Sequence, residues 1–134
     1  MRMLLDTHIL VWAIKESPLL PAQSAMLIED SSNELYFSTA AVWEACIKHA
    51  KRPDQFPLPG ERLIRYCTDN GIKELPLYFR HIDMLNTLVQ QENAPAHNDP
   101  FDKIMIAQAK TDNLFFLTHD SLLRYYDEPC ILYV

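Results

Sequence analysis

Glycine is almost absent, with two residues in a chain of 134. A glycine-rich loop that cradles a nucleotide phosphate is therefore excluded, and turns fall to the nine prolines and to Asn, Asp and Ser. Cysteine is scarce too. Cys46, Cys67 and Cys130 are odd in number, far apart and without a Cys-x-x-Cys pair, which argues for reduced thiols of a cytoplasmic protein and against a structural zinc site. No apolar run is long enough to span a membrane, and Asp6 and His8 interrupt the apolar block that a signal peptide needs. Positive charge is the last shortage: 12 Lys and Arg stand against 18 Asp and Glu, a net charge of −6. A surface coated with cations for nonspecific nucleic-acid binding is thereby excluded. An RNA-cleaving enzyme with its acids gathered in one cleft is not.

What the chain does have is apolar residues, 49% of the total, at a length suited to one domain with one core. Met3 to Leu5, Leu35 to Phe37, a stretch near Leu75, Leu114 to Leu117 and Cys130 to Val134 read as short strands. Between them Pro21 opens a helix through Met26 to Ile28, and Ser38 and Thr39 cap a helix carrying Val42, Trp43, Cys46 and Ile47. Pro53, Pro57 and Pro59 mark a surface loop before a helix around Leu63 to Cys67. Phe79 to Val89 reads as one helix, and the segment after Asp99 as another, with Met105 and Ile106 in the core. Trp12 and Trp43 read as core residues. Strands alternating with helices predict an α/β fold: a three-layer α/β/α domain over residues 1–134 around a mostly parallel sheet.

In such sheets ligands bind beyond the carboxyl ends of the strands, near the point where strand order reverses. Acids stand at those ends. Met3-Leu4-Leu5 runs into Asp6, and the Leu114 strand reaches Asp120 shortly after Leu117. The Leu35 strand leads through Ser38 into the helix bearing Glu44, and Asp99 and Asp102 open the helix that feeds the Leu114 strand. Taken singly, Asp6, Asp99 and Asp120 each read first as an N-cap contributing on the order of 1 kcal/mol. Asp102, behind Pro100, stands close to a capping-box position. Glu44 lies a turn beyond any cap. A pair with Lys48 at i,i+4, contributing about 0.3–0.5 kcal/mol, explains Glu44 if it is exposed and not if it is buried. Should Asp6, Glu44, Asp102 and Asp120 converge, two like charges ~4 Å apart repel by about 4 kcal/mol at an effective dielectric near 20. Protons or a cation must then offset the repulsion. Oxygen ligands select Mg²⁺ or Mn²⁺ over zinc, and either ion supports phosphodiester hydrolysis by a metal-activated water.

Four blocks carry a family resemblance. They are Leu4-Leu5-Asp6-Thr7-His8 with Leu10-Val11-Trp12, Ser38-Thr39-Ala40-Ala41-Val42-Trp43-Glu44 with Ile47-Lys48, His97-Asn98-Asp99-Pro100-Phe101-Asp102-Lys103 with Ala107-Gln108-Ala109, and Thr118-His119-Asp120. In this order, over essentially the whole chain, the sequence resembles the PIN-domain family, and within it the VapC-like toxin ribonucleases of type II toxin–antitoxin systems. The resemblance implies a PIN fold and a Mg²⁺- or Mn²⁺-dependent endoribonuclease holding one or two ions. It carries over Asp6, Glu44, Asp102 and Asp120 as the catalytic, metal-holding quartet, with Asp99 as a further candidate ligand. It also implies an RNA substrate, a cognate antitoxin that covers the cleft, and a homodimer. Asn98 and Lys103 stand where the family carries arginine, and a lysine keeps the charge but lacks the bidentate fork that grips phosphate.

Around the quartet, Lys48, Lys51 and Arg52 read either as solvated charges complementing a helix dipole or as a phosphate-tracking patch, to which Lys103 adds a substrate contact. Thr7, Ser38 and Thr118 adjoin the acids and read as hydroxyls that orient a water or as structural caps. His8 and His119 flank acids and are assigned to packing or support, because a hard cation has little use for imidazole. The competing class is a catalytically inactive PIN-like protein-binding module whose acids serve only as helix caps.

Overall fold

The computed structural model describes residues 1–134. The strand-like runs form a five-stranded sheet of β1 (Arg2–Leu5), β2 (Glu34–Ser38), β3 (Lys73–Leu75), β4 (Phe115–Thr118) and β5 (Ile131–Tyr133), in the order β3-β2-β1-β4-β5. Every neighbouring pair is parallel, so the sheet is wholly rather than mostly parallel. The helices are α1 (Thr7–Ile14), α2 (Ala22–Glu29), α3 (Thr39–Lys51), α4 (Gly60–Asp69), α5 (Phe79–Met84) and α6 (Pro100–Asp112). None is long and apolar enough to cross a membrane.

Alternation along the strands divides the core in two. Met3, Leu5, Phe37 and Leu117 point to one face and pack with Ile9, Leu10, Leu63 and Cys67 from α1 and α4. Leu4 and Phe116 point to the other and pack with Ile104, Met105 and Ile106 of α6. Each such fully buried side chain stabilises by about 1.5–3 kcal/mol relative to exposure, and with both faces covered the layers are α/β/α. α3 contributes Ala40 and Ala41 to the second cluster and Ala45 to the first, so it spans both layers. Its contact with α4 is close: a Cβ on Gly60 would lie 2.4 Å from Cys46 Sγ and 3.2 Å from the Val42 carbonyl oxygen. That is the position where this glycine-poor chain keeps one.

Two expectations fail. Phe79 to Val89 is not one helix, because α5 ends at Met84 and a 3₁₀ turn (Leu85–Thr87) leads into irregular chain, where Gln90 bridges antiparallel to Tyr126. Trp43 is not core. Its exposure is 62%, because the buried stripe of α3 is Ala40, Ala41, Glu44 and Ala45, and Trp43 falls outside it, edge-on to Phe101.

Candidate functional site

The strand order reverses between β1 and β4: the chain steps outward from β1 to β3, then returns to lay β4 and β5 on the other side of β1. The crevice beyond that reversal is where an open α/β sheet takes its ligands. Asp6 directly follows β1, and Asp120 lies two residues past β4. Glu44 arrives from the second turn of α3, and Asp102 from the first turn of α6.

Asp6 occupies the N-cap position of α1, yet its side chain makes no capping bond. It is 3% exposed. Thr118 Oγ1 donates to Asp6 Oδ2 at 2.6 Å, while Oδ1 is buried without a partner. Burial pushes the carboxyl up to about 6, against the opposing pull of the Thr118 hydroxyl. The same hydroxyl accepts from the Asp120 backbone N–H at 3.0 Å, so one threonine ties the two strand ends together.

Glu44 is buried to 1% exposure. Thr7 Oγ1 donates to its Oε1 at 2.6 Å, and Lys48 Nζ to its Oε2 at 2.5 Å. The i,i+4 pair therefore exists, but around a buried carboxylate rather than as a weak surface pair. Burial pulls the Lys48 ammonium down, and the bond to Glu44 outweighs it, leaving its pKa above the ordinary lysine value.

Asp102 is buried and pushed up to about 9, first by burial and then by repulsion from Asp6, Asp99, Glu44 and Asp120. That ordering places all five acids in one neighbourhood. Asp99 itself is a cap: its Oδ1 accepts from the N–H groups of Phe101 at 2.9 Å and Asp102 at 3.3 Å, with Pro100 at the first helical position. Asp120 caps the 3₁₀ turn Ser121–Tyr125 through Leu122 N at 2.9 Å. Capping thus accounts for Asp99 and Asp120, and for neither Asp6 nor Asp102.

Sequence reasoning missed His97. It is buried, its Nε2 lies 3.1 Å from Asp102 Oδ2, and its Nδ1 lies 2.9 Å from the Tyr126 hydroxyl. With a neutral ring, Tyr126 donates to Nδ1 and Nε2–H donates to Asp102, which fixes that carboxylate's rotamer. One ligand-type atom each from His97, Asp102 and Asp120 lie within 4.8 Å of one another. The only signal in the sequence was its place five residues ahead of Asp102, because Tyr126 lies far along the chain.

The remaining candidates divide. Thr7 and Thr118 bond to carboxylates, whereas Ser38 caps α3 through Ala40 N and donates to Gln108 Oε1 at 2.6 Å, both structural bonds. Lys48, Lys51 and Arg52 line a cleft of about 380 Å³ with His8, Gln55 and Phe56. Lys103, one position past Asp102, is half-buried and makes no ion pair. His8 and His119 are exposed. A set of carboxylates with one orphaned buried oxygen, and with the one imidazole among them already bonded to Asp102, fits a hard divalent cation.

The sequence profile of the PIN domain matches residues 3–129. The chain belongs to the PIN domain family. Among solved structures, this PIN domain is similar to a chain of VapBC2 from Rickettsia felis, solved bound to a DNA fragment from their promoter. There the identity is 14%, the TM-score 0.65, and the coverage 100% of this chain and 98% of that one. A chain of VapBC-1 from nontypeable Haemophilus influenzae shares 17% identity at a TM-score of 0.57, over 90% of this PIN domain and 87% of its own length. At these identities the likeness is one of fold. No curated protein matches the sequence significantly.

Proposed function

We propose that this PIN-domain protein is a Mg²⁺- or Mn²⁺-dependent endoribonuclease, the VapC-like toxin of a toxin–antitoxin pair, acting in the cytoplasm. The observation that carries the reading is Asp6 Oδ1, a buried and unpartnered carboxylate oxygen at the sheet's reversal point, among acids that push Asp102 far up. Asp6, Glu44, Asp102 and Asp120 hold one or two ions. Asp99 serves chiefly by starting α6 so that Asp102 faces the cleft. When bound, a divalent cation acidifies an attacking water and neutralises charge gathering on the scissile phosphate. Thr7, Thr118 and His97 hold Glu44, Asp6 and Asp102 in fixed rotamers. Lys48, Lys51, Arg52 and Lys103 meet phosphates beside the cut, a local positive field within a chain of net charge −6.

The partners follow the same reading. Likeness to chains from two VapBC structures supports an antitoxin that covers the cleft. An apolar face of Trp43, Leu77, Phe79 (86% exposed) and Ile82 beside Phe101 supports a homodimer.

The test is cleavage of labelled RNA with Mn²⁺, with Mg²⁺ and with EDTA. Wild type cuts with either ion and not in EDTA, and Asp6→Asn and Asp102→Asn lose the activity. Metal-dependent cleavage that survives both substitutions would make the assignment wrong. A protein that neither cleaves nor melts at a higher temperature with Mn²⁺ is instead the inactive binding module, the reading favoured by the caps at Asp99 and Asp120.

A further inference from the structure

The four acids of the cleft are not equally free. Asp6 bonds to Thr118 through Oδ2 and leaves Oδ1 buried without a partner. Asp102 meets His97 through Oδ2 alone, and Asp120 accepts the Leu122 N–H through Oδ1 alone. Each of these three keeps one carboxylate oxygen clear of the protein. Glu44 keeps none: Thr7 donates to Oε1 at 2.6 Å and Lys48 to Oε2 at 2.5 Å. An ion seated on Glu44 would also stand beside the Lys48 ammonium, and like charges that close repel strongly in a buried site.

Lys48 reaches Glu44 from one turn further along α3, with its side chain 36% exposed against 2% for the acid. Its ammonium has three donors, and Glu44 takes one. The charges of Asp99 and Asp102 also act on it, and the same side chain lines the cleft shared with Lys51, Arg52 and His8. Lys48 thus stands between the acids and open solvent. A solvated i,i+4 pair on a helix surface explains neither that place nor the burial of Glu44. In two-ion phosphodiester sites, two cations about 3.5–4 Å apart clamp the attacking and leaving oxygens. An ammonium, a compact positive charge on a flexible stem, can fill one of those two places.

We infer that Lys48 is a resident second cation: the cleft takes one divalent ion, on Asp6, Asp102 and Asp120, and the Lys48 ammonium on Glu44 stands in for the other. Its two remaining donors are then available to a phosphate oxygen. The inference rests on the metal-dependent reading above and narrows it from one or two ions to one, with Glu44 holding the lysine. The test counts Mn²⁺ bound per chain, without RNA, from the paramagnetic resonance signal of the free ion. Wild type takes up one ion. Lys48→Met, which keeps the stem and removes the charge, takes up two, and Lys48→Arg, which restores a cation, returns to one. Circular dichroism checks that each variant is folded. A pair that served packing alone would change the melting temperature and leave the count at one throughout. Two ions on wild type, or one on Lys48→Met, would therefore overturn the inference. Wild-type crystals soaked in Mn²⁺ answer without a variant: a single anomalous peak lies among Asp6, Asp102 and Asp120, with Lys48 still on Glu44. A peak on Glu44 would sink the proposal. Cleavage of RNA with Mn²⁺ is scored separately on wild type. Cleavage by a chain that binds two ions removes the role of Lys48 and leaves the ribonuclease reading standing; a wild type that takes up no Mn²⁺ removes both.

Discussion

The two edges of the parallel sheet treat carboxylates in opposite ways. At the amino edge, Glu34 accepts from Lys73 Nζ at 2.6 Å and from the Tyr36 hydroxyl at 2.5 Å, and these bonds hold it below the ordinary carboxylate range. Asp112 accepts from Arg80 at 3.1 and 3.2 Å and pairs with His81 Nε2 at 2.9 Å. Burial would raise it, but Arg80 and His81 outweigh burial and hold it low as well. At the carboxyl edge Asp6 rises to about 6 and Asp102 to about 9. One residue type on one sheet thus moves in two directions, and the difference is the placing of the protein's own cations. The amino edge is electrostatically complete. At the carboxyl edge Lys48 answers Glu44, but Asp6 Oδ1 is buried with no partner on the chain.

The largest break in this comparison is functional. Asp6→Asn or Asp102→Asn is expected to lower RNA cleavage by roughly a hundred- to a thousandfold, the scale of one lost preorganised electrostatic contact. Neither substitution should lower the melting temperature of the metal-free protein at alkaline pH, where each removes an unfavourable buried charge. Next is His97→Gln. Calorimetric titration with Mn²⁺ should show affinity reduced by roughly 10- to 100-fold, as for other groups that hold a ligand from behind. At the amino edge Asp112→Asn does the reverse of Asp102→Asn: chemical denaturation should show about 1–2 kcal/mol of lost stability and no change in Mn²⁺ affinity. Smallest is Lys73→Ala, which breaks an exposed pair and should leave the melting temperature nearly unchanged.

Titration sharpens the same contrast. Asp6 and Asp102 have folded pKa values raised above the unfolded value near 4, so the folded state binds the extra protons and stability falls as pH rises through that window. Glu34 and Asp112 have lowered values, so their contribution is present above about pH 4 and lost as pH falls through the folded values. Thermal melts in EDTA should therefore decline from about pH 5 to about pH 8.5. Asp102→Asn should flatten that decline, and Mn²⁺ should reverse it by replacing the protons. A profile that rises over this range in EDTA would remove the carboxyl edge's distinction.

Much of the fold was readable from local pattern, because strand alternation, Pro100 at a helix start and the caps at Ser38 and Asp99 are all short-range signals. The same locality explains the failures. Leu85, Leu88 and Val89 keep helical spacing, so local pattern carries α5 past its true end at Met84, and the chain beyond is set by long-range contacts such as Gln90 with Tyr126. Trp43 looked like core because its α3 neighbours are apolar, and only the placing of α3 across both layers turns it outward. Among the acids, local reasoning identified Asp99 and Asp120 as caps. It could not distinguish Asp6 from them, because what separates Asp6 is a hydroxyl 112 residues away. His97 escaped for the same reason, since Tyr126 lies 29 residues downstream.

That separation bears on biosynthesis. Asp6 leaves the ribosome well before its hydroxyl partner Thr118, 112 residues downstream, and its fellow acid Asp120. Contacts so distant in sequence form late, after the entropy of closing the intervening chain has been met. A chain interrupted anywhere before residue 118 lacks both. β1 and β2 can dock as they emerge, but the acid edge first exists when β4 slides in beside β1. Synthesis must therefore pass Asp120 before the acids proposed to cut RNA can stand together.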